Sequence, residues 1–277
     1  MINESTTLVR RAVLSILLLA GLQLAACTSM QANASVPSPE QRQSLAPSGK
    51  LKVGLYPRTP TSIPQDPPPA SPRGVGYELG KELARRLGVP FEAVVFAKNA
   101  DVLDAVKNGQ VDIAFTNASA ERAKDMNFTT PYREIELGYL VALGSPIASI
   151  AAIDEPGIRV ADTEKRSSDA VLSRDLKNAV LVRAVTVKDG MGMLSSGAAH
   201  AYATNKATLF EMADELPGSR VLAGRWGVER HAIAAPKVRA TGLRFAQDFA
   251  EAAKFSGLVK AAAGRAGPRG TVDGAVK

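Results

Sequence analysis

Cysteine is almost missing from this chain. Cys27 is the single one among 277 residues, which excludes an internal disulfide and a cysteine-based metal site. Histidine is nearly as scarce. His200 and His231 lie far apart in sequence, and neither belongs to a metal-binding spacing. His200 follows Gly197-Ala198-Ala199 and reads as a turn or surface residue, while His231, in the apolar run ERHAIAAP, reads as a satisfied structural histidine. No metal and no cofactor is expected. Aromatics make up 5% of the chain, and they are not interleaved with the basic residues as base-stacking platforms would be. The formal charge of +7 therefore does not read as a nucleic-acid footprint. Residues 50–144 and 145–226 are each close to neutral, and most of the excess falls after 226, along a helical segment from Arg230 to Arg269. A solvated helix face, or weak attraction to anionic lipid, accounts for it.

The N-terminus carries Arg10-Arg11 and then an apolar run, Ala12 to Ala26, too short to span a bilayer comfortably. It ends in Leu24-Ala25-Ala26-Cys27, which resembles the lipobox of bacterial lipoproteins. That resemblance implies a signal peptide over 1–26 and lipidation at Cys27. Residues 27–49, rich in Ser, Pro, Gln and Ala, are expected to be a flexible tether.

The folded body opens with a strand, Leu51 to Tyr56, and a Pro-rich loop over 57–75 follows, where regular structure is not expected. Leu79, Leu83, Ala84 and Leu87 have helical spacing, and Gly88 ends that helix. A strand over 89–96, a helix over 101–108 and a buried strand at Val111 to Phe115 come next. A strand over 136–143 leads out. The second half alternates again, with strands near 158–161, 180–185, 199–203 and 219–222, and helices near 167–178, 189–195 and 207–216. The Ser pair at 167–168 is expected to cap its helix. An apolar run from Val228 to Ala235 precedes a long amphipathic helix, or a pair, over 237–263. Short alternations of this kind predict an α/β fold with largely parallel sheets.

At the centre lies NGQVDIAFTNASAERAKDMNFTTPY, Asn108 to Tyr132. A strand ends there in hydroxyl and amide side chains and meets a turn that carries Arg122. Free backbone N–H groups and a bidentate cation suit a carboxylate or another small anion.

The order of these pieces resembles the family 3 extracellular solute-binding proteins. The match rests on LKVGLYP, GYEL before a helix ending LGVP, NGQVDIAF with SAERAKDMNFTTPY, GIRVADTEKRSS, the Leu194-Ser195-Ser196-Gly197 turn and FAEAAKFSGLVK. The resemblance implies the two-lobed periplasmic-binding-protein type II fold, with a ligand cleft between lobes joined by two crossing strands. Lobe 1 would comprise 50–141 and the return from 230 to 277, and lobe 2 would be 142–229. It also implies a monomeric, periplasmic, lipid-anchored component of an ABC importer for a small carboxylate-bearing solute, an amino acid or related organic anion, which passes that solute to an inner-membrane permease and has no catalytic residues.

Residue by residue, Arg122 matches the family's grip on the ligand α-carboxylate, with Asn117 and Ser119 at its supporting positions. Tyr56 stands where an aromatic meets the ligand. Ser167 and Ser168 match a carboxylate-binding turn, although Lys165 or Arg166 replaces its glycine. The acid that pairs with the ligand ammonium falls at Asn205, which brings no charge. Either the ligand lacks an α-amine, or another acid such as Glu78 or Asp162 supplies the charge. Two other readings remain open. One is a dehydratase on the same fold, with Glu78, Glu121 or Asp162 as its acid, and the other is an envelope sensor without transport.

Overall fold

The computed structural model describes residues 36–64 and 73–266, together with the backbone of 271–272. The expected signal peptide and Cys27 lie outside the described residues, as does the middle of the Pro-rich loop.

Short helix α1, Pro39–Leu45, comes first. In lobe 1, β1 (Leu51–Leu55) pairs in parallel with β2 (Phe91–Val95) on one side and with β3 (Ile113–Asn117) on the other. The connections are α2, Val75–Leu87, and α3, Asn99–Lys107. After a short β4 (Met126–Phe128), the long strand β5 (Arg133–Val141) carries the chain out. In lobe 2, β6 (Arg159–Thr163) lies in parallel between β7 (Val180–Ala184) and β8 (Ala201–Asn205). Helices α4 (Ser167–Asp175), α5 (Val187–Ser195) and α6 (Lys206–Glu215) serve it, and β9 is the short Arg220–Val221. The return strand β10 (Gly227–Pro236) leads to α7 (Ala240–Phe255) and α8 (Leu258–Ala266), and β11 is Thr271–Val272.

One continuous sheet runs in the order β2-β1-β3-β10-β5-β8-β6-β7. Its two central strands are the ones that cross between lobes. Residues 227–231 of β10 pair antiparallel with 133–137 of β5, and residues 231–234 pair antiparallel with β3. His231 is the residue at which the strand changes partner, facing Arg133 on one side and Asn117 on the other. Apolar side chains fill both faces of each lobe. Leu51, Val53, Leu83 and Phe249 belong to one core of lobe 1 and Val102, Val106 and Val111 to another, while Val160 and Leu172, then Tyr202 and Leu209, fill lobe 2.

This arrangement aims several strand ends at one place. The C-terminal ends of β1, β3, β6 and β8 all meet the gap between lobes, where open α/β sheets hold their ligands. Tyr56, Asn117, Thr163 and Asn205 are the residues at those ends.

The expected tether is corrected over part of its length. Ser38 caps α1 through a reciprocal pair of bonds with Gln41, Oγ accepting the Gln41 N–H at 3.1 Å and Gln41 Oε1 accepting the Ser38 N–H at 2.9 Å. Leu45 is fully buried against α7. The fit is close, since a Cβ on Gly242 would come within 2.5 Å of Leu45 Cγ. The Pro-rich loop is also more regular at its start than expected. The Thr59 N–H donates to Ile63 O and the Ser62 N–H to Thr59 O, both at 3.1 Å, and Thr59, Thr61, Ser62 and Ile63 are buried. Leu45→Ala should cost about 2–5 kcal/mol, the usual range for emptying a core leucine site. Urea unfolding of the chain with and without the substitution would measure it, and a free tether would show no change.

Candidate functional site

A small, partly open chamber lies between the lobes, lined by Tyr56, Asn99, Thr116, Asn117 and Arg122 of lobe 1, by Arg166, Ser167 and Asn205 of lobe 2, and by Glu229 and His231 of the crossing strand. Its free volume is about 10 Å³, room for about one water-sized sphere. A larger chamber of about 170 Å³ adjoins it and shares Tyr56, Asn99 and Arg166. Direct bonds join the walls. Thr208 Oγ1 donates to Thr59 Oγ1 at 3.0 Å, Arg58 Nη1 meets Glu215 at 3.1 Å, and Lys98 Nζ stands 3.5 Å from Glu164.

Strand geometry explains why Glu229 and His231 share the chamber. Residues two apart on a strand face the same side, so both point inward while Arg230 between them pairs outward with Glu134 at 3.0 Å. Glu229 is 6% exposed, and a buried carboxylate must be paired to stay charged. Its Oε1 accepts from Ser167 Oγ at 2.5 Å, while Oε2 accepts from Asn205 Nδ2 at 3.1 Å and lies 3.1 Å from His231 Nε2. Burial alone would raise its pKa. His231, Ser167 and the Arg122 charge overcome that and hold it at about 2.

Arg122 is half-buried as a residue, with its charged end enclosed. Its Nη1 donates to Thr116 Oγ1 at 2.8 Å and to the Asn117 carbonyl at 3.2 Å. That fixes the plane of the guanidinium. Burial lowers its pKa, Glu229 works against that, and the positive Arg166 adds to the lowering. Arg166 Nη1 donates to Thr204 Oγ1 at 2.9 Å, and its guanidinium carbon stands 5.8 Å from the centre of the Tyr56 ring. Three buried polar atoms of the chamber have no partner: Asn99 Oδ1, His231 Nδ1 and Arg166 Nε. Unpaired buried polar groups are costly, and here they sit together around one space.

The profile of the bacterial extracellular solute-binding proteins, family 3, matches residues 51–260. The chain belongs to that family. The glutamine-binding protein GlnH of an ABC transporter from Bacillus subtilis is 24% identical over 227 residues, covering 79% of this chain and 83% of that protein. Among solved structures, a mutant of ArgBP from T. maritima superposes with a TM-score of 0.70 at 22% identity, covering 81% of this chain and 98% of that one. The ancestral amino acid-binding protein AncCDT-1, a precursor of cyclohexadienyl dehydratase, superposes with a TM-score of 0.69 at 22% identity and the same coverage. These likenesses agree with the two-lobed type II fold expected from the sequence. They place the chain among solute-binding proteins of extracellular or periplasmic type, and no helix among the described residues is long and apolar enough to cross a membrane.

Within the family fold, the residues singled out in sequence divide. Arg122, Asn117, Tyr56, Ser167 and Asn205 line the chamber. Ser119 does not. Its hydroxyl accepts the Arg122 N–H at 3.3 Å and shapes the turn. Ser168 has no exposed surface and does not line it either. The expected Ser cap of α4 is also corrected. The N-cap residue is Arg166, with no side-chain cap bond, and Ser167 turns to Glu229 instead. Asn205 is committed within the protein, its Oδ1 accepting the Thr208 N–H at 3.0 Å as the cap of α6 while Nδ2 holds Glu229.

Asn205 brings no charge, and the carboxylate of Glu229 stands 3.1 Å from its Nδ2. Neither Glu78 nor Asp162 lies there. Glu78 pairs with Arg265 on the surface of lobe 1. Asp162, with no exposed surface, does not line the chamber, and its Oδ1 accepts the Thr163 N–H at 2.7 Å. Thr116, Asn99, Arg166, Glu229 and His231 also line the chamber, beyond the residues that the family resemblance implies. Glu-x-His on a crossing strand was the readable signal for the last two.

Burial pushes the Asp162 carboxyl up to about 8, only partly offset by Ser168 and Arg166. An acid raised on folding holds its proton in the native state while the unfolded chain loses it, so its contribution falls as pH climbs from about 4 towards 8. Asp162→Asn keeps the Thr163 bond and removes that loss. At pH 8 it should raise Tm by about 2 °C or more, with little change at pH 4. Thermal unfolding across that range is the check.

Proposed function

We propose that the protein is the substrate-binding component of an ABC importer and captures a small α-amino acid or a closely related carboxylate. The carrying observation is a fixed pair of opposite charges in one chamber, Arg122 on lobe 1 and an ionised Glu229 on the crossing strand. A zwitterion would place its carboxylate on the guanidinium fork and its ammonium at Glu229 Oε1, which accepts one bond where a carboxylate oxygen can take two. The inner chamber is too small for such a guest with the walls as they stand. Entry requires the lobes to part and binding to draw them together, with groups from both contributing affinity. Periplasmic location, lipid attachment at Cys27, a monomeric state and delivery to a permease belong to the same proposal.

The charge states favour capture over chemistry. A general acid or base works best with a pKa near the working pH. Glu229 is held far below it at about 2, and Asp162, whose pKa lies nearer neutrality, is outside the chamber. We accordingly propose no catalytic role for either.

Titration calorimetry with a panel of amino acids and their deaminated analogues tests the reading. Arg122→Ala should weaken every ligand by about 2–5 kcal/mol, roughly thirtyfold or more, as expected when one partner of an enclosed charged pair is cut away. Glu229→Gln should weaken amino acids and spare acids without an amine. Undiminished binding in the Arg122 variant would remove the proposed anchor.

A further inference from the structure

We infer that the solute carries a second acidic group, held by Arg166 where the inner chamber opens into the outer one. The inference rests on the amino-acid reading of the inner chamber and adds what that reading leaves unmatched. The residues lining the inner chamber hold two fixed cations, Arg122 and Arg166, against one carboxylate, Glu229. An α-carboxylate satisfies Arg122 and an α-ammonium satisfies Glu229. Arg166 is then left over.

Its surroundings say what it awaits. Arg166 is 7% exposed, and a single hydrogen bond to Thr204 engages its fork while Nε has no partner. Burial works against its charge, while Tyr56, Tyr202, Asp162 and Glu229 outweigh that and raise its pKa. Burial pushes Asp162 towards its neutral form, which leaves Glu229 as the ionised carboxylate acting on both Arg122 and Arg166. The Arg166 Nε keeps no acceptor, and an unpaired buried donor is costly. A bidentate acid from the guest would supply both the charge and the missing acceptor.

The adjoining chamber fits that group. It is lined by Arg58, Lys98 and Lys188 besides Arg166, and no Asp or Glu lines it. The carboxylates that meet two of these cations, Glu215 with Arg58 and Glu164 with Lys98, lie outside the lining. Its volume of about 170 Å³ leaves room for a short side chain, and its basic rim would repel a cationic one.

Calorimetry on the intact protein with L-glutamate, L-aspartate, L-glutamine, L-asparagine and L-arginine decides the matter. The best acidic ligand should bind about tenfold or more tightly than its amide, since losing a charged partner at a buried guanidinium is penalised heavily, and arginine should bind worst. Arg166→Gln should bring the acid-to-amide ratio close to one, and Arg166→Lys should restore part of it by returning charge without the fork. Thermal unfolding verifies that both variants fold, and the wild-type ratio decides even where they do not. Equal affinity for glutamate and glutamine, or tighter binding of arginine, would overturn the second acidic group and leave the amino-acid reading standing. No binding by any of the five would overturn both.

Discussion

The ionised carboxylate of Glu229 is the interaction on which the centre of this molecule depends. A buried carboxylate survives as an ion only if its oxygens are bonded and a positive charge is near. Here its partners come from different parts of the fold: Ser167 at the start of α4, Asn205 at the start of α6, His231 on the same strand and Arg122 from lobe 1. The network draws the start of two lobe 2 helices and the crossing strand to one point. Asn205 shows how tightly structure and site are joined, because one side chain ends β8, caps α6 and holds the charge.

The lobes themselves are ordinary in their physics. Parallel strands covered by helices bury apolar side chains on both faces, and little polar chemistry interrupts them away from the strand ends. Some of the exceptions lie between the lobes. Asn99, Arg166 and His231 each leave a buried polar atom unpaired there. Natural cores rarely tolerate this, and sequences that satisfy every local rule elsewhere tend to break them at functional sites. Three such atoms around one space are an argument for a guest that comes from outside the fold.

Much of this was legible in the chain. Helical spacing of Leu79, Leu83, Ala84 and Leu87 marks α2, and the residue types around Arg122 suit an anion as well as a plain surface turn. What escaped was non-local. Glu229 lies more than a hundred positions after Arg122, inside a run that reads as core, and only the pairing of β10 with both β5 and β3 brings it to the chamber. Helix α1 escaped for a different reason. Its composition is that of a linker, yet Ser38 and Gln41 form a capping box that could have been read. Asn205 stands where the family resemblance implies an acid, although Asn before KATLFEMADE is equally a helix N-cap, and that local role is the one it fills.

Where the charges sit has a consequence for motion. Arg122 belongs to lobe 1, while Glu229 lies on the strand that joins the lobes and is held by Ser167 and Asn205 of lobe 2, so the proposed grip on a zwitterion already spans both lobes. Arg166 belongs to lobe 2 and reaches its share of the chamber only as the lobes approach. A ligand shifts such an equilibrium only by binding one state better than the other. In the proposed reading, a group that met Arg166 would add to the differential supplied by a head between Arg122 and Glu229. An acidic amino acid would then favour closure more strongly than a neutral one.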